Sequence, residues 1–308
     1  MQSGQFLDDP QSASMFSGQL PHVHGIHTHH RRFDSLPVDE TFLADLPDSY
    51  ATVGVSANVH AGPAFGFDYW EIRRDGAFSE NEQNINNFKE LYAAAIDYLD
   101  GLVQEFVTNS INLTNLDTTC IVTADHGEDF GDTPSDPCFG HIGSLSEGLL
   151  HVPFHLYNPP DGYPETVHKY TSLLNLGDLV IGFLQNRVVD TTRDSIPAEL
   201  IGSLRQSQEW PLSESEFEYW NRMIRCAYRG TTKVEWDSLG NKIEHSIDKN
   251  RPSYQERQRE LNEIPEWAKR FFKEEVDAYK SKAIKKEGSL DELVTDATMD
   301  RLEDLGYL

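Results

Sequence analysis

The run Cys120-Ile-Val-Thr-Ala-Asp-His-Gly-Glu128 places a carboxylate and an imidazole side by side in the chain. Its first four residues are apolar or β-branched, which predicts a short buried strand that ends just before Asp125 and His126. Gly127 then permits a sharp turn. Ligands of α/β sheets bind beyond the carboxyl ends of the strands, so we expect both side chains to face a site. Carboxylate oxygen and imidazole nitrogen are both common ligands of divalent metals.

A second motif follows, Phe139-Gly-His-Ile-Gly-Ser-Leu-Ser-Glu147, and it contributes another imidazole, His141. The apolar stretch from His151 to Tyr157 then predicts a further strand. A non-functional interpretation of the first motif remains open, in which it is a surface loop whose Asp and His side chains are solvated. The histidine-rich stretch from His22 to His30 has the same two interpretations, a metal site or a solvated loop.

The order of these motifs resembles that of the sulfatase family of the alkaline-phosphatase superfamily. Its members carry a strand followed by T-A-D-H-G-E, then G-H-G, a short helix with a glutamate, and L-x-V-P before the next strand. This chain has the same pieces in the same order from Cys120 to Tyr157, with Ile142 where the family usually has glycine. The resemblance implies an α/β fold, a sandwich with a central, mostly parallel sheet flanked by helices.

The resemblance extends to most of the chain. Upstream, the segments Ser12-Ala-Ser-Met-Phe-Ser-Gly18 and Leu20-Pro-His-Val-His-Gly-Ile26 are similar to the family pattern A-S-L-x-T-G-x-x-P-x-x-H-G-V. Asn58-Val-His60 and Gly66-Phe-Asp68 look like its K-W-H and G-F-D segments. The helical spacing of apolar residues between Asn87 and Val107 predicts the long helix that the family has before its T-A-D-H-G-E strand.

The resemblance implies a role for five residues. Asp125 and His126 correspond to metal ligands of the family. His141 and His60 correspond to side chains that donate to the sulfate or protonate the leaving group. Asp8 occupies the position of the nucleophile, where the family has a cysteine or serine that becomes formylglycine. The apolar first strand of the family, which ends in acidic metal ligands, has no counterpart upstream of Asp8, so we expect a partial ligand set.

Hydrolysis of sulfate esters is the activity that the resemblance implies, with a small-molecule ester as the substrate. The implied cofactor is a divalent metal, calcium, with zinc or manganese as alternatives. Because Asp8 cannot become formylglycine, catalytic competence is in question and two other interpretations stay open. One is a phosphatase or phosphodiesterase of the same superfamily, which would take a phosphate ester. The other is an inactive protein that binds anions.

The formal net charge of −25 is extreme for a chain of 308 residues. It argues against nucleic acid and anionic membranes as partners, because both require a positive protein surface. Lysine is also scarce before residue 230, whereas nine lysines fall between Lys233 and Lys286. An acidic, lysine-poor surface is typical of proteins kept in high salt, where screening weakens self-repulsion, and it predicts a halophilic source. An ordinary acidic protein is the alternative.

Targeting signals are absent from the sequence pattern. No run of about 18 apolar residues occurs, and no basic segment followed by an apolar one opens the chain. The three cysteines, Cys120, Cys138 and Cys226, suggest neither a disulfide framework nor a zinc site. These observations predict a cytoplasmic protein and leave its oligomeric state open.

A change of composition near residue 205 predicts two parts. Residues 1–205 are expected to form the sulfatase-like α/β core without its first strand, and residues 206–308 a C-terminal extension. Within the extension, Ala227 to Trp236 and the turn after it predict a β-hairpin. Ile264 to Lys286 has the spacing of an amphipathic helix.

Overall fold

The computed structural model of the protein describes most of the chain. The described residues are 8–26, 38–47, 53–56, 69–72, 85–113, 118–131, 139–141, 143–202, 213–248 and 250–280. Among these residues, no helix is both long enough and apolar enough to span a membrane.

The first part of the chain is helical. Helices α1 (Asp8–Ser17) and α2 (Pro21–His24) are followed by two short 3-10 turns. Buried Ala13 and Phe16 of α1 pack with Ile26 and Leu43 in a small apolar core. The predicted long helix is present as α3 (Ile85–Leu113), which extends beyond the predicted range at both ends.

Two short sheets surround the first motif. Strand β3 (Cys120–Thr123) pairs with β6 (Phe154–Tyr157), and β4 (Asp129–Phe130) pairs with β5 (Phe139–Gly140). The single-turn helix α4 (Glu147–Leu150) precedes β6, and helices α5 (Leu176–Leu184) and α6 (Glu214–Trp220) follow later in the chain.

The expected central, mostly parallel sheet does not appear among the described residues. Of the described strands, only β1 (Val53–Ser56) and β2 (Tyr69–Ile72) pair in parallel, whereas β3 and β6 are antiparallel with Cys120 opposite Tyr157. The physical reason lies in the connection, because parallel neighbours need a long crossover, usually a helix. In its described residues the segment between β3 and β6 holds the β4–β5 pair and the four-residue α4 but no long crossover helix, and the chain reverses direction there.

The largest described sheet has five antiparallel strands and lies in the C-terminal part. Its strands, in spatial order, are β11 (Gln255–Glu260), β10 (Lys242–Ile247), β9 (Thr232–Asp237), β8 (Ile224–Arg229) and β7 (Ser195–Leu200). The predicted hairpin turn after Trp236 joins β9 to β10, while the segment from Ala227 to Trp236 contains a further turn at Gly230 and belongs to the β8–β9 pair. The sheet also spans the predicted boundary at residue 205, since β7 lies before it and β8 after it.

The predicted helix from Ile264 to Lys286 is interrupted. Helix α7 (Glu266–Lys269) ends after one turn, and residues 276–280 are helical again. Arg225 of β8 donates a hydrogen bond to the main-chain oxygen of Glu274, inside the interruption. The sheet therefore takes a carbonyl group that a continuous helix would have used for its own backbone. The apolar residues of the segment still cover one face of the sheet, as predicted from their spacing.

Both faces of the sheet are buried at its strands β8 and β9, whereas the edge strand β11 is mostly exposed. One face, which we call the helix-covered face, carries Ala227, Val234 and Trp236 against the 264–280 segment. The opposite face, the core-facing face, carries Cys226 and Tyr228 against Leu145 and other apolar side chains. Each face also contains a buried ion pair, which is unusual because charges leave water at a considerable cost in free energy.

The ion pair on the helix-covered face joins β7 to β8 and α2. Arg225 Nε donates to Glu199 Oε2 at 2.6 Å, and His22 contacts Glu199 Oε1 through its backbone N–H at 2.8 Å and its Nδ1 at 3.0 Å. Burial raises the pKa of Glu199, but the hydrogen bond from His22 and the charge of Arg225 outweigh it and hold the pKa below its ordinary value.

The core-facing face contains a buried histidine, His245, that makes the protein sensitive to acid. Burial, and after it the charges of Lys233 and Arg257, its neighbours across the strands, lower its pKa from the ordinary 6.5 to about 3. Between these two pH values the unfolded chain binds a proton that the folded protein does not. The free energy of unfolding should therefore fall as the pH drops below 6.5, by roughly 2 kcal/mol at pH 5.

Urea denaturation of the wild type and of His245→Leu between pH 5 and pH 7 measures this effect. The variant is expected to show a flatter pH dependence than the wild type. His155→Gln, which changes an exposed histidine of β6, is the matched control and should keep the wild-type slope. Equal slopes for the wild type and His245→Leu would contradict the assignment.

Candidate functional site

The turn after β3 fixes the first two side chains of the site. Asp125 Oδ1 accepts a hydrogen bond from the backbone N–H of His126 at 3.0 Å, and His126 Nδ1 lies 2.8 Å from the main-chain oxygen of Gly127. A carbonyl oxygen only accepts, so this contact assigns the proton of a neutral His126 to Nδ1. Its Nε2 then carries the lone pair, the form in which histidine binds a metal.

Two glycines explain how this turn can be so tight. The backbone N–H of Gly127 donates to the main-chain oxygen of Leu149 in α4 at 2.9 Å. A Cβ atom on Gly127 would lie 2.0 Å from the main-chain oxygen of Gly148, and a Cβ atom on Gly148 would lie 3.2 Å from that of Glu128. The turn and α4 therefore touch backbone to backbone, which only glycine allows.

The β4–β5 pair brings His141 to the same place. The rings of His126 and His141 lie 4.7 Å apart between centroids, inclined by 34°. His141 Nδ1 is 3.2 Å from Glu128 Oε2 and 3.4 Å from its Oε1. A carboxylate can only accept, so Nδ1 is the donor in this pair. His141 Nε2 is buried, and no group of the described chain makes a hydrogen bond with it.

Glu128 is a site residue that the sequence interpretation missed. Its carboxylate orients His141, as second-sphere carboxylates commonly do for histidine rings. The motif itself contained the signal, since Glu128 follows His126 by two residues across a glycine. Helix α3 closes this side, because Tyr92 packs on Phe130 with ring centroids 5.1 Å apart. Burial raises the pKa of Tyr92, and the charge of Glu128 raises it further.

The remaining predicted site residues are not described at the level of their side chains. Asp8 begins α1, but only its backbone is described, and His60 lies outside the described residues. Their roles stay predictions.

The described histidines of the His22–His30 stretch have structural contacts. His22 contacts Glu199, and His24 Nε2 lies 2.9 Å from Ser14 Oγ while its Nδ1 accepts from the backbone N–H of Ile26 at 3.0 Å. Both rings therefore stabilise the loop after α1. The other histidines of the stretch lie outside the described residues.

A divalent metal fits the described residues only in part. The neighbouring carboxylate and imidazole of Asp125 and His126 have the right chemistry, and the Nε2 lone pair of His126 suits ligation. Within the described ranges, however, no group of three or more His, Cys, Asp or Glu side chains converges in a way that could hold a metal. Two ligands do not complete a metal shell.

Comparison with known proteins agrees with these motifs. The family model "Sulfatase" matches residues 19–185, which is more than half of the chain. No curated protein matches the chain. A solved structure of BT1596, a 2-O GAG sulfatase, is similar with a TM-score of 0.53 and 13% identity, over 99% of this chain and 86% of that one. A candidate sulfatase from Bacteroides thetaiotaomicron VPI-5482 is similar with a TM-score of 0.53 and 12% identity, over 95% and 87%.

At such identities the two structures support the fold alone, and it is the sulfatase-like fold. The family model covers α2, α3 and the whole segment from β3 to α5 (Leu176–Leu184), which includes Asp125, His126 and His141. The chain belongs to the sulfatase family.

Proposed function

We propose that the protein binds the sulfate group of small-molecule sulfate esters at the histidine pair formed by His126 and His141. The observation that carries this proposal is the buried Nε2 of His141, which has no hydrogen-bond partner within the described chain. A buried polar atom without a partner costs free energy, and a ligand oxygen would supply that partner.

Glu128 prepares His141 for this task. The carboxylate accepts from Nδ1 and so fixes the orientation of the ring. When the ring carries a proton on both nitrogens, Nε2–H is left to donate to the ligand. A hydrogen bond from a cationic donor to an anionic oxygen is roughly twice as strong as a neutral one. His141 is therefore the proposed donor to a sulfate oxygen or to the ester oxygen of the leaving group.

The sulfatase family generally uses a divalent metal, and Asp125 with His126 would hold it here. We propose calcium, with zinc or manganese as alternatives. A bound metal would polarise the ester oxygens. Its other ligands are not among the described residues, so the chain contributes the orientation of Asp125 and His126 through the contacts of the turn.

Recognition of the ester, rather than its turnover, is the proposed activity. The nucleophile position of the family falls on Asp8, whose carboxylate is a weaker nucleophile than the hydrated aldehyde of formylglycine. The proposed protein therefore retains the anion-binding half of the sulfatase site.

Calorimetric titration with an aryl sulfate tests the proposal, in high salt because of the acidic charge of the chain. His141→Gln is expected to weaken binding about ten- to hundredfold, the worth of a hydrogen bond to a charged group. His155→Gln, at an exposed position of β6, is the control and should bind like the wild type. Unchanged affinity in His141→Gln would rule the site out. Tighter binding of an aryl phosphate than of an aryl sulfate would identify phosphate esters as the ligand class.

A further inference from the structure

The first residue of helix α4, Glu147, contacts buried polar side chains on the core-facing face of the C-terminal sheet. Tyr228 Oη donates to Glu147 Oε1 at 2.5 Å, and Lys233 Nζ lies 3.4 Å from the same oxygen. Lys233 also donates to the main-chain oxygen of Leu145 and, at 2.7 Å, to Gln255 Oε1. We call Glu147, Tyr228 and Lys233 the Glu147 cluster.

The charges of this cluster depend on one another. Lys233 is 0% exposed and Glu147 is 4% exposed. Burial by itself lowers the pKa of Lys233, but the charge of Glu147 outweighs it together with the other acidic neighbours and the hydrogen bond to Glu147, so the pKa lies above its ordinary value and Lys233 is a cation. Burial raises the pKa of Tyr228 far above its ordinary value, and the charge of Glu147 adds to this, so the phenol keeps its proton and donates.

The same four-residue helix also holds the histidine turn. Glu147 begins α4, Gly148 faces the backbone of Gly127 and Glu128, and Leu149 accepts the hydrogen bond of the Gly127 N–H. The first residue of α4 is thus bound by side chains of the sheet, and its next two residues contact the backbone of the histidine turn. A shift of α4 must be transmitted to Gly127, because backbone atoms in van der Waals contact cannot give way as flexible side chains do.

We propose that Glu147, Tyr228 and Lys233 are positioning residues through which the C-terminal sheet sets the spacing of His126 and His141. The ligand-binding part of this inference rests on the proposed function. Lys233 and Glu147 are separated by 86 residues in sequence, and the contact joins the sheet to the segment that carries the site.

The other buried ion pair provides a comparison within the same sheet. Arg225 and Glu199 lie on the helix-covered face, and their described partners are His22 and the main-chain oxygen of Glu274. None of these groups belongs to α4 or to the histidine turn. A variant of this pair is therefore expected to change the stability of the sheet while the contacts of Tyr228 and Lys233 with Glu147 in α4 remain.

Nuclear magnetic resonance of the full chain with labelled histidine tests the inference. In the wild type, ring protons of His126 and His141 should show a mutual Overhauser effect, as expected for rings 4.7 Å apart. Tyr228→Phe removes only the hydroxyl group that donates a hydrogen bond to Glu147. It is expected to weaken this effect and to lower aryl sulfate affinity about fivefold. Glu147→Gln, which keeps the shape of the side chain, should act in the same direction.

Glu199→Gln is the matched control, because it alters a buried ion pair on the opposite face. It is expected to lower the denaturation midpoint while the Overhauser effect and the affinity remain those of the wild type. An unchanged ring signal in Tyr228→Phe and Glu147→Gln, or an equal loss in Glu199→Gln, would overturn the inference. If the wild type binds no aryl sulfate, the proposed function fails, while the ring signal still decides whether the cluster positions the histidines.

Discussion

Gly127→Ala is expected to abolish sulfate-ester binding and to destabilise the fold. The added Cβ atom would lie 2.0 Å from the main-chain oxygen of Gly148, a distance that real Cβ atoms do not adopt. The obstacle is backbone, so the turn and α4 must separate. Separation breaks the hydrogen bond from the Gly127 N–H to Leu149 and moves both His126 and Glu128. Overpacking of this kind costs about 1–3 kcal/mol, and the loss of geometry at the site adds to the loss of binding.

Chemical denaturation and titration with an aryl sulfate measure the two effects in the same sample. Gly101→Ala is the matched control, because Gly101 lies inside α3 and a Cβ atom there would meet nothing within 4 Å. Alanine in a helix interior is favoured over glycine by about 1 kcal/mol, so the control should be as stable as the wild type or more so. A Gly127→Ala protein that binds the ester normally would show that the close approach is unnecessary.

Local patterns predicted the elements around the site but not their partners. The apolar run before Asp125 forms strand β3, as predicted. The upstream segment whose apolar residues have helical spacing forms α3. The pairing of β3 with β6 is antiparallel, and a strand's own residues do not encode the direction of its neighbour. Register and direction are set by contacts between distant segments.

The missed residues have the same explanation. Lys233 lies in a strand of alternating pattern, where a lysine predicts an exposed position. It is buried because Glu147, far away in sequence, supplies the opposite charge. Glu128 was not among the predicted site residues, yet the β4–β5 pair brings His141 to its carboxylate. Likewise, the break between α7 and residues 276–280 follows from a contact with Arg225 that no local pattern contains.

The purified chain is expected to show no appreciable hydrolysis of an aryl sulfate, whichever divalent metal is added. The reaction needs a nucleophile in line with the leaving group, and in the proposed function that position is assigned to Asp8. In a serine protease, removal of the nucleophile or the base lowers the rate by roughly 10⁶, which would put any residual activity below background. Release of the aryl alcohol from aryl sulfate and aryl phosphate, in high salt with calcium, magnesium, manganese or zinc, measures this directly.

Three variants show which residue is responsible for any turnover that the assay detects. Turnover that Asp8→Ala abolishes and Asp9→Ala spares would make Asp8 the nucleophile and contradict the proposal of recognition without hydrolysis. Turnover that survives Asp8→Ala but is lost in His141→Ala would assign the chemistry to the histidine pair itself. Absence of turnover together with His141-dependent binding is the result expected from the proposed function, in which Glu128 orients His141, the turn of Gly127 orients His126, and Asp8 stands at the nucleophile position.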